Sequence, residues 1–484
     1  MERRKYALGN NIRGYELGLI STVFVVAFTG AIILPFYVYL FGAGVFWEFV
    51  GIIICMAFVW NFESYRLMRY ARRHKNILSL PSYFKYRFGD SKEYLRIVAS
   101  SEIVILTMVI MSLMIKELGI ILYAVFGLDT TFTTFLVCFS IALYLGLSGF
   151  DSIARTALFK AVFLLAVIII ISIFAFKTMG IHTLIQNMMA MDVTGSVSDY
   201  MNVLYHNGKL LVPEDYISLI FMGLLTSGIP FLLSVFFSAN DSSKINVGKF
   251  VMIIYLFIFF AAAAIMGVIS RGYLYPEKLT GSLSIYIARF FKCLSQNGNM
   301  GVALGYLYIL MIVLAMVITF EGSLHVVVTI IYDDIIRAGR LVRIRKSREK
   351  LYIIVITFII SIICYVVGEC LNFISINLIV TFIGALGCAV APTVLMSLRW
   401  RRMNKFGCIA GLISGLAAVP FFKYAAFFGD SDVRLSLSDL LGVNSVALSM
   451  LVSFLMIILV SLITPKPSQE VLDEYDDIKH RIVN

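Results

Sequence analysis

The chain has 484 residues, of which 60% are hydrophobic and 14% charged, with a formal net charge of +11. Soluble domains carry about 45–50% apolar and about 25% charged residues, so this composition excludes a water-soluble globular protein and implies an integral membrane protein. There is no HExxH metal-ligand pattern, no GxxxxGK[ST] phosphate loop and no nucleophile–base arrangement, so an enzyme with a metal or cofactor is not expected.

Apolar runs long enough to cross a hydrocarbon core recur twelve times, near 16–41, 44–62, 97–126, 131–149, 153–176, 216–238, 250–270, 301–332, 351–371, 373–398, 408–427 and 444–465. The fold class is therefore all-α, a polytopic membrane protein of about twelve transmembrane helices. The basic start "MERRKYALGNNIRGYELGL" runs into the first apolar stretch with no small-residue cleavage site, so the first span is expected to be retained. Lys116-Glu117, towards the outer end of the third span, reads as a boundary pair, and Arg155 beside Asp151 as an inner interfacial anchor. Lys160 stands two turns into the otherwise apolar fifth span. Long loops at 177–215 and 271–300 follow the fifth and seventh spans, the second holding "LSIYIARFFKCL" (283–294), which suits a short amphipathic surface helix. Glu321 and His325 interrupt the eighth span, and the tail 466–484 reads as a polar, solvated helix. Seven cysteines (55, 138, 293, 364, 370, 388, 408) form no CxxC pair and read as small packing residues.

Lysine and arginine are retained on the cytoplasmic side of membranes. Twelve spans put both termini on one side, and that side also holds "RLMRYARRHK" (66–75), "RAGRLVRIRKSREK" (337–350) and "RWRRMNK" (399–405). Both termini are thus expected in the cytoplasm of a cell whose inner membrane houses the chain. The positive charge is a topology signal with anionic lipid as its partner, and nucleic acid is not implied.

Two spans carry helix-breaking residues at matching places. The first has Thr29-Gly30 followed by Pro35 in "VVAFTGAIILP"; the sixth has Thr226-Ser227-Gly228-Ile229-Pro230 in "GLLTSGIPFLL". A membrane helix can break only where protein or a water-filled cavity satisfies the freed backbone groups. Breaks five helices apart, in spans of opposite direction, are the pattern of an inverted repeat of five plus five, with solute and ions held at the unwound midpoints. The expected organisation is one transmembrane domain over 1–465, with core repeats at about 16–176 and 216–398 and additional helices at 408–465. Thr29, Gly30, Met222, Thr226, Ser227 and Gly228 are the candidate solute-binding residues.

"YALGNNIRGYELGL", "LSLPSYFKYRFGD" (78–90), "GLSGFDSIARTALFKA" (146–161) and "APTVLMSLRWRRMNKFGCIAGLISG" (391–415) together resemble the sodium:solute symporter family. The resemblance spans residues 6 to 415 and implies a LeuT-type fold, a small-solute substrate and coupling to a cation. Most members begin with an additional outer helix, which this chain lacks, so its first span corresponds to core helix 1. The family's sodium site, between core helices 1 and 8, implies a pair of hydroxyl residues in helix 8, of which only Thr319 remains here. Ala27 stands where some members carry an acid, and the helix-5 pattern Thr-Asp-x-x-Gln appears as Thr156-Ala157-Leu158-Phe159-Lys160. A hard cation requires oxygen ligands, so these departures leave a degraded sodium site and imply transport that is independent of sodium or coupled to protons.

An ionisable residue within a span costs about 3 kcal/mol on insertion scales and normally faces a partner in the bundle interior. Lys160 either snorkels to the interface or pairs with Glu321, its ammonium occupying or adjoining the vacated cation position beside Thr319. His325, one helical turn after Glu321, is either a packing residue or a third proton-carrying group. A small polar, amino-acid-like solute is the expected substrate of a secondary transporter; the alternative is a transport-silent relative acting as a sensor or as a subunit of a membrane complex.

Overall fold

The protein is described from a computed structural model covering residues 2–191, 197–206, 209–277, 279, 281–339, 346–371, 375–428, 434–438 and 443–480. The middle of the basic segment 337–350 lies outside these residues.

Among the described residues, eleven helices are long and apolar enough to cross a membrane, and a bent helix pair makes up a twelfth span. Spans 1 to 5 are Gly14–Phe41, Ala43–Arg73, Tyr94–Phe126, Thr130–Ser148 and Phe150–Met179. Span 6 is a bent pair, Pro213–Gly228 and Pro230–Phe237, and spans 7 to 12 are Ser242–Tyr273, Gly298–Arg337, Glu349–Cys370, Ile376–Arg399, Lys405–Tyr424 and Ser445–Ile463. Their starts are set locally by side chains that accept the orphan N–H groups of a first helical turn. Asp129 accepts from Phe132 N at 2.7 Å, Asn404 from Gly407 N at 2.9 Å and Asn444 from Val446 N at 2.9 Å. Between spans 2 and 3, Gly89 takes the left-handed conformation (φ +58°) that ends the helix Leu80–Phe88. The turn brings Asp90 Oδ2 to the backbone N–H of Leu95 at 2.8 Å.

Packing partners are exchanged between the two halves. Span 1 packs on span 7 and span 6 on span 2; span 8 packs on spans 3 and 5, while span 3 also meets span 10. Each contact has its counterpart five helices away, as an inverted repeat requires. Lipid offers helices no hydrophobic drive to associate, so small residues let backbones approach. A Cβ on Gly223 would lie 2.3 Å from the Gly51 carbonyl carbon, and one on Gly18 2.4 Å from the Gly248 oxygen. Spans 11 and 12 pack on each other and on span 10, outside the core.

Three expectations are corrected. Lys116 does not pair with Glu117: its ammonium meets Glu369 of span 9 at 2.7 Å, because Glu117 lies one residue further round the helix, where it is buried. Among the cysteines Cys370 is exposed and Cys293 half-buried. The tail is not a solvated helix. Gln469–His480 docks on the face bearing both termini, where Tyr475 and Ile478 are buried. Tyr475 donates to the Leu398 carbonyl at 3.1 Å and lies under the Arg87 guanidinium, 4.4 Å from its ring centroid. Glu474 and Asp477 pair with Arg73, Glu474 also with His74, and Asp476 with Arg401 at 2.8 Å. The tail's acids thus meet the basic runs at 66–75 and 399–405. The Arg155 side chain is 77% exposed and 3.9 Å from Asp151.

Exposed ion pairs are each worth about 0–1 kcal/mol, whereas a buried aromatic anchor is worth more. Tyr475→Ala should therefore release the tail to limited proteolysis much faster than Glu474→Gln, with the spans remaining uncut in both.

Candidate functional site

The two marked spans depart from α-helical geometry in different ways. In span 1 the segment Val26–Ile33 is a π-helix, wound continuously into helix Leu34–Phe41, so the break expected at Thr29-Gly30 is a widened turn rather than an unwound one. Pro35 has no N–H to give to a preceding carbonyl, and a π-turn just before it absorbs the mismatch. Thr29 Oγ1 donates to the Val25 carbonyl. In span 6 the break is real: Leu225–Gly228 narrows to a 3-10 turn, Ile229 is extended (φ −73°, ψ 115°), and Pro230 opens a new helix at 47° to the first. Thr226 Oγ1 and Ser227 Oγ return to their own helix, donating to the carbonyls of Gly223 and Leu224 at 2.8 and 2.7 Å.

A cavity of about 70 Å³ lies between these segments and spans 3, 8 and 10. Its wall is mainly apolar, with Phe24, Phe28 and Phe231 among the large side chains. Its polar groups are the hydroxyls of Thr29, Thr107, Thr226, Thr319 and Ser323. Thr319 Oγ1 donates to the Ala315 carbonyl at 3.0 Å, and Thr107 Oγ1 has no hydrogen-bond partner among the described residues.

Of the candidate solute-binding residues, only Thr29 and Thr226 reach this cavity. Gly30 faces span 7, where a Cβ would meet the Phe259 ring at 2.8 Å. Gly228 abuts the backbone of span 10, and Ser227 does not line the cavity. Met222 lines a second space of about 750 Å³ at the face opposite the termini, together with Tyr37, Glu48, Asp215, Asn377 and Lys423. The His206 imidazole also lines this vestibule, and burial lowers its pKa, favouring the neutral ring. The vestibule floor at Met222 and Val380 is one helical turn from Thr226 and Ile383 in the cavity wall.

Behind the cavity, the Lys160 ammonium and the Glu321 carboxylate form a direct ion pair between spans 5 and 8. Lys160 is 7% exposed and Glu321 2%, so the ammonium does not snorkel to the interface. Their surroundings, Ile20, Val23, Phe24, Ile153, Phe231 and Ile318, leave about 10 Å³ of free space. Glu321 is two residues from Thr319, about 200° around the helix, so it faces span 5 while Thr319 and Ser323 face the cavity. Phe24 and Phe231, whose ring centroids are 4.6 Å apart, border both spaces. The ammonium therefore adjoins the Thr319 region across an aromatic partition and does not enter it. Ala27 is fully buried in the span 1 π-segment.

His325 points elsewhere. Its Nε2 lies 3.1 Å from the Tyr6 carbonyl of the N-terminal helix Glu2–Leu8, and its ring packs against Tyr6 and Phe150 at centroid distances of 5.5 and 5.3 Å. Among the described residues no hydrogen bond links it to Glu321. Near the same face Asp333 pairs with Arg3, and Asp334 with Arg96 at 2.6 Å and with the Ser79 hydroxyl, tying the end of span 8 to the N-terminal helix and to span 3.

Phe231 is named by the sequence at the span 6 break, whereas Phe24, Thr107 and Ser323 are not singled out by it. Ser323, four residues after Thr319 on one helical face, carried a readable signal; the aromatic pair did not, because large apolar residues fill every span.

A π-widened span 1 and a broken span 6 around a buried cavity, in a membrane bundle with an inverted repeat, define a LeuT-type fold. The model of the sodium:solute symporter family matches residues 9–415. The high-affinity proline transporter PutP of Bacillus subtilis is 23% identical over 439 residues, covering 89% of this chain and 86% of that protein. A sodium/proline symporter of Haemophilus influenzae is 23% identical over 460 residues, covering 92% and 86%. Among solved structures, a Na+-coupled sialic acid symporter in a substrate-bound outward-open state superposes with a TM-score of 0.74 at 14% identity, covering 96% of this chain and 93% of that one. MhsT in complex with L-phenylalanine gives 0.55 at 14% identity, covering 94% and 99%. The chain belongs to the sodium:solute symporter family, whose members are membrane transporters of small solutes.

The seam between spans 6 and 10 yields a test of the geometry. A Cβ on Gly228 would lie 2.7 Å from the Gly387 oxygen and 2.9 Å from the Ala391 nitrogen, both backbone atoms that cannot move alone. On Gly384 it would meet side chains alone, Val446 at 3.3 Å and Leu225 at 3.9 Å. Gly228→Ala should cost about 1–3 kcal/mol and lower the yield of folded protein, while Gly384→Ala is tolerated; size-exclusion profiles in detergent read both.

Proposed function

We propose that this chain is a secondary transporter of a small, amino-acid-like solute, working by alternating access with both termini in the cytoplasm, in which the Lys160–Glu321 pair supplies the charge that a bound cation supplies in relatives. The carrying observation is the buried ion pair itself, set against the aromatic partition of a cavity whose side-chain oxygens are all hydroxyls. A sodium ion in that cavity would find no carboxylate to offset its dehydration. A resident ammonium held by a resident carboxylate keeps the local charge balance with no ion bound.

Two of the matched relatives are named for proline. The cavity suits a solute of that kind: an aliphatic body against Phe28, Ile110 and Met114, and a polar end towards Thr226 and the start of the helix at Pro230. The first turn of that helix presents N–H groups and a positive dipole end, which favour a carboxylate. The spans between the vestibule and the ionic contacts of Arg3 and Arg96 support a state closed on the terminal face and open on the other. The basic runs beside the termini support the orientation.

Uptake into proteoliposomes, with sodium replaced by choline and at several pH values, tests this reading. Transport should persist without sodium, and a steep sodium requirement in the unmodified protein would overturn it. Solute binding without uptake would favour the sensor alternative. Lys160→Gln or Glu321→Gln alone leaves a buried charge without its partner, a loss of about 3–5 kcal/mol, and should sharply reduce folded yield and uptake. The double variant should lose less than the sum of the singles; additive losses would show that the two charges are not coupled.

A further inference from the structure

Two groups of cationic side chains on the terminal face differ in how they are neutralised. Those around the tail and the end of span 8 are neutralised: Arg73, His74 and Arg401 by tail carboxylates, Arg3 by Asp333, and Arg96 by Asp334 and Glu93. A second group surrounds a cavity of about 230 Å³ between the N-terminal helix, the end of span 4 and the starts of spans 5 and 9. Lys5, Arg155 and Lys350 line it together with Tyr6, Ser148 and a single acid, Asp151. That acid is already engaged: its Oδ1 accepts from the Asn10 backbone N–H at 2.7 Å, and its Oδ2 is 3.9 Å from Arg155. Lys5 and Lys350 have no carboxylate partner among the described residues, and Arg155 extends into the surroundings. Three cations against one committed carboxylate form a cavity with a net positive field.

Its outer wall points to the source of the missing anion. Leu147 lines the cavity and is 53% exposed, and Leu143, one turn earlier on the same face of span 4, is 45% exposed. An apolar stripe on a membrane span that leads directly into a cationic cavity at its end is the arrangement that accepts an acyl chain below a charged headgroup. We propose that this cavity binds the phosphate of an anionic phospholipid between Lys5, Arg155 and Lys350, with an acyl chain lying along Leu147 and Leu143. Arginine supplies a planar fork of donors to phosphate oxygens and the two lysines supply point charges. The bound headgroup would hold the N-terminal helix against spans 4, 5 and 9. The same helix carries the Tyr6 carbonyl that meets His325, one turn from Glu321, so the lipid would stabilise the closed terminal face. None of this depends on which solute is carried or on its coupling ion.

The full-length chain in nanodiscs of phosphatidylcholine, with and without phosphatidylglycerol, tests the site by thermal shift. Phosphatidylglycerol should raise the melting temperature of the unmodified protein. It should have little effect on the triple variant Lys5→Gln, Arg155→Gln, Lys350→Gln, whose melting in pure phosphatidylcholine should match the parent because these side chains are exposed. Arg72→Gln with Lys75→Gln, which removes two exposed cations elsewhere on the same face, should retain the full shift. An equal shift in parent and triple variant would overturn the site, as would loss of the shift in the Arg72, Lys75 control. If inorganic phosphate in pure phosphatidylcholine reproduces the shift, the cavity is a free-anion site and the lipid assignment fails.

Discussion

An ammonium and a carboxylate in contact, enclosed by aliphatic and aromatic side chains, anchor the centre of this molecule. Burying either alone would carry a desolvation cost of several kcal/mol; together, in a low-dielectric surround, each offsets much of the other's. The contact exists only while spans 5 and 8 hold their present separation, so it fixes the position of span 8 against the first repeat. Span 8 in turn presents Thr319 and Ser323 to the cavity on its other face and carries Asp333 and Asp334 to the terminal surface. One helix thereby touches the ion pair, the cavity and the ionic contacts with Arg3 and Arg96.

The two halves of the inverted repeat use unlike solutions at corresponding places. Span 1 widens into a π-turn and stays continuous, whereas span 6 narrows, extends at Ile229 and restarts at Pro230. The difference follows from local chemistry. Pro35 comes after a run of residues that all accept helical geometry, so the chain adjusts within the helix. At Pro230 the preceding Gly228 lies against the span 10 backbone, an approach that a side chain there would block. The half-helix dipole at the cavity is consequently that of span 6.

The terminal face is assembled from the chain's two extremities. The N-terminal helix meets His325 through Tyr6 and Asp333 through Arg3, while the tail helix spreads its carboxylates over Arg73, His74 and Arg401. Segments that are polar and far apart in sequence converge because each carries the charge the other lacks. A surface that composition alone presents as uniformly basic includes both a neutralised region and a cationic cavity.

Much of this was legible in the residues. Twelve apolar runs, the helix-breaking clusters of spans 1 and 6 and the choice of Lys160 between the interface and a pair with Glu321 follow from rules that act within a span or on the cost of an isolated charge in hydrocarbon. What lay beyond them were choices among equivalent options. Lys116 had an acid beside it and took Glu369 instead, because neighbours in a helix point in different directions and a partner on span 9 lies opposite. Met222, Ser227 and Gly228 sat at the right depth, yet helix rotation turned them to the vestibule, to their own backbone and to span 10. The partition of Phe24 and Phe231 was invisible among 39 phenylalanines. Hydrophobicity and the expense of buried charge are properties of a residue and its immediate neighbours, and so the sequence by itself determined the spans, the break in span 6 and the cost of leaving Lys160 alone in hydrocarbon; whether span 1 breaks and which faces meet depend on the rotation and crossing of helices remote in the chain, and only the tertiary structure decided them.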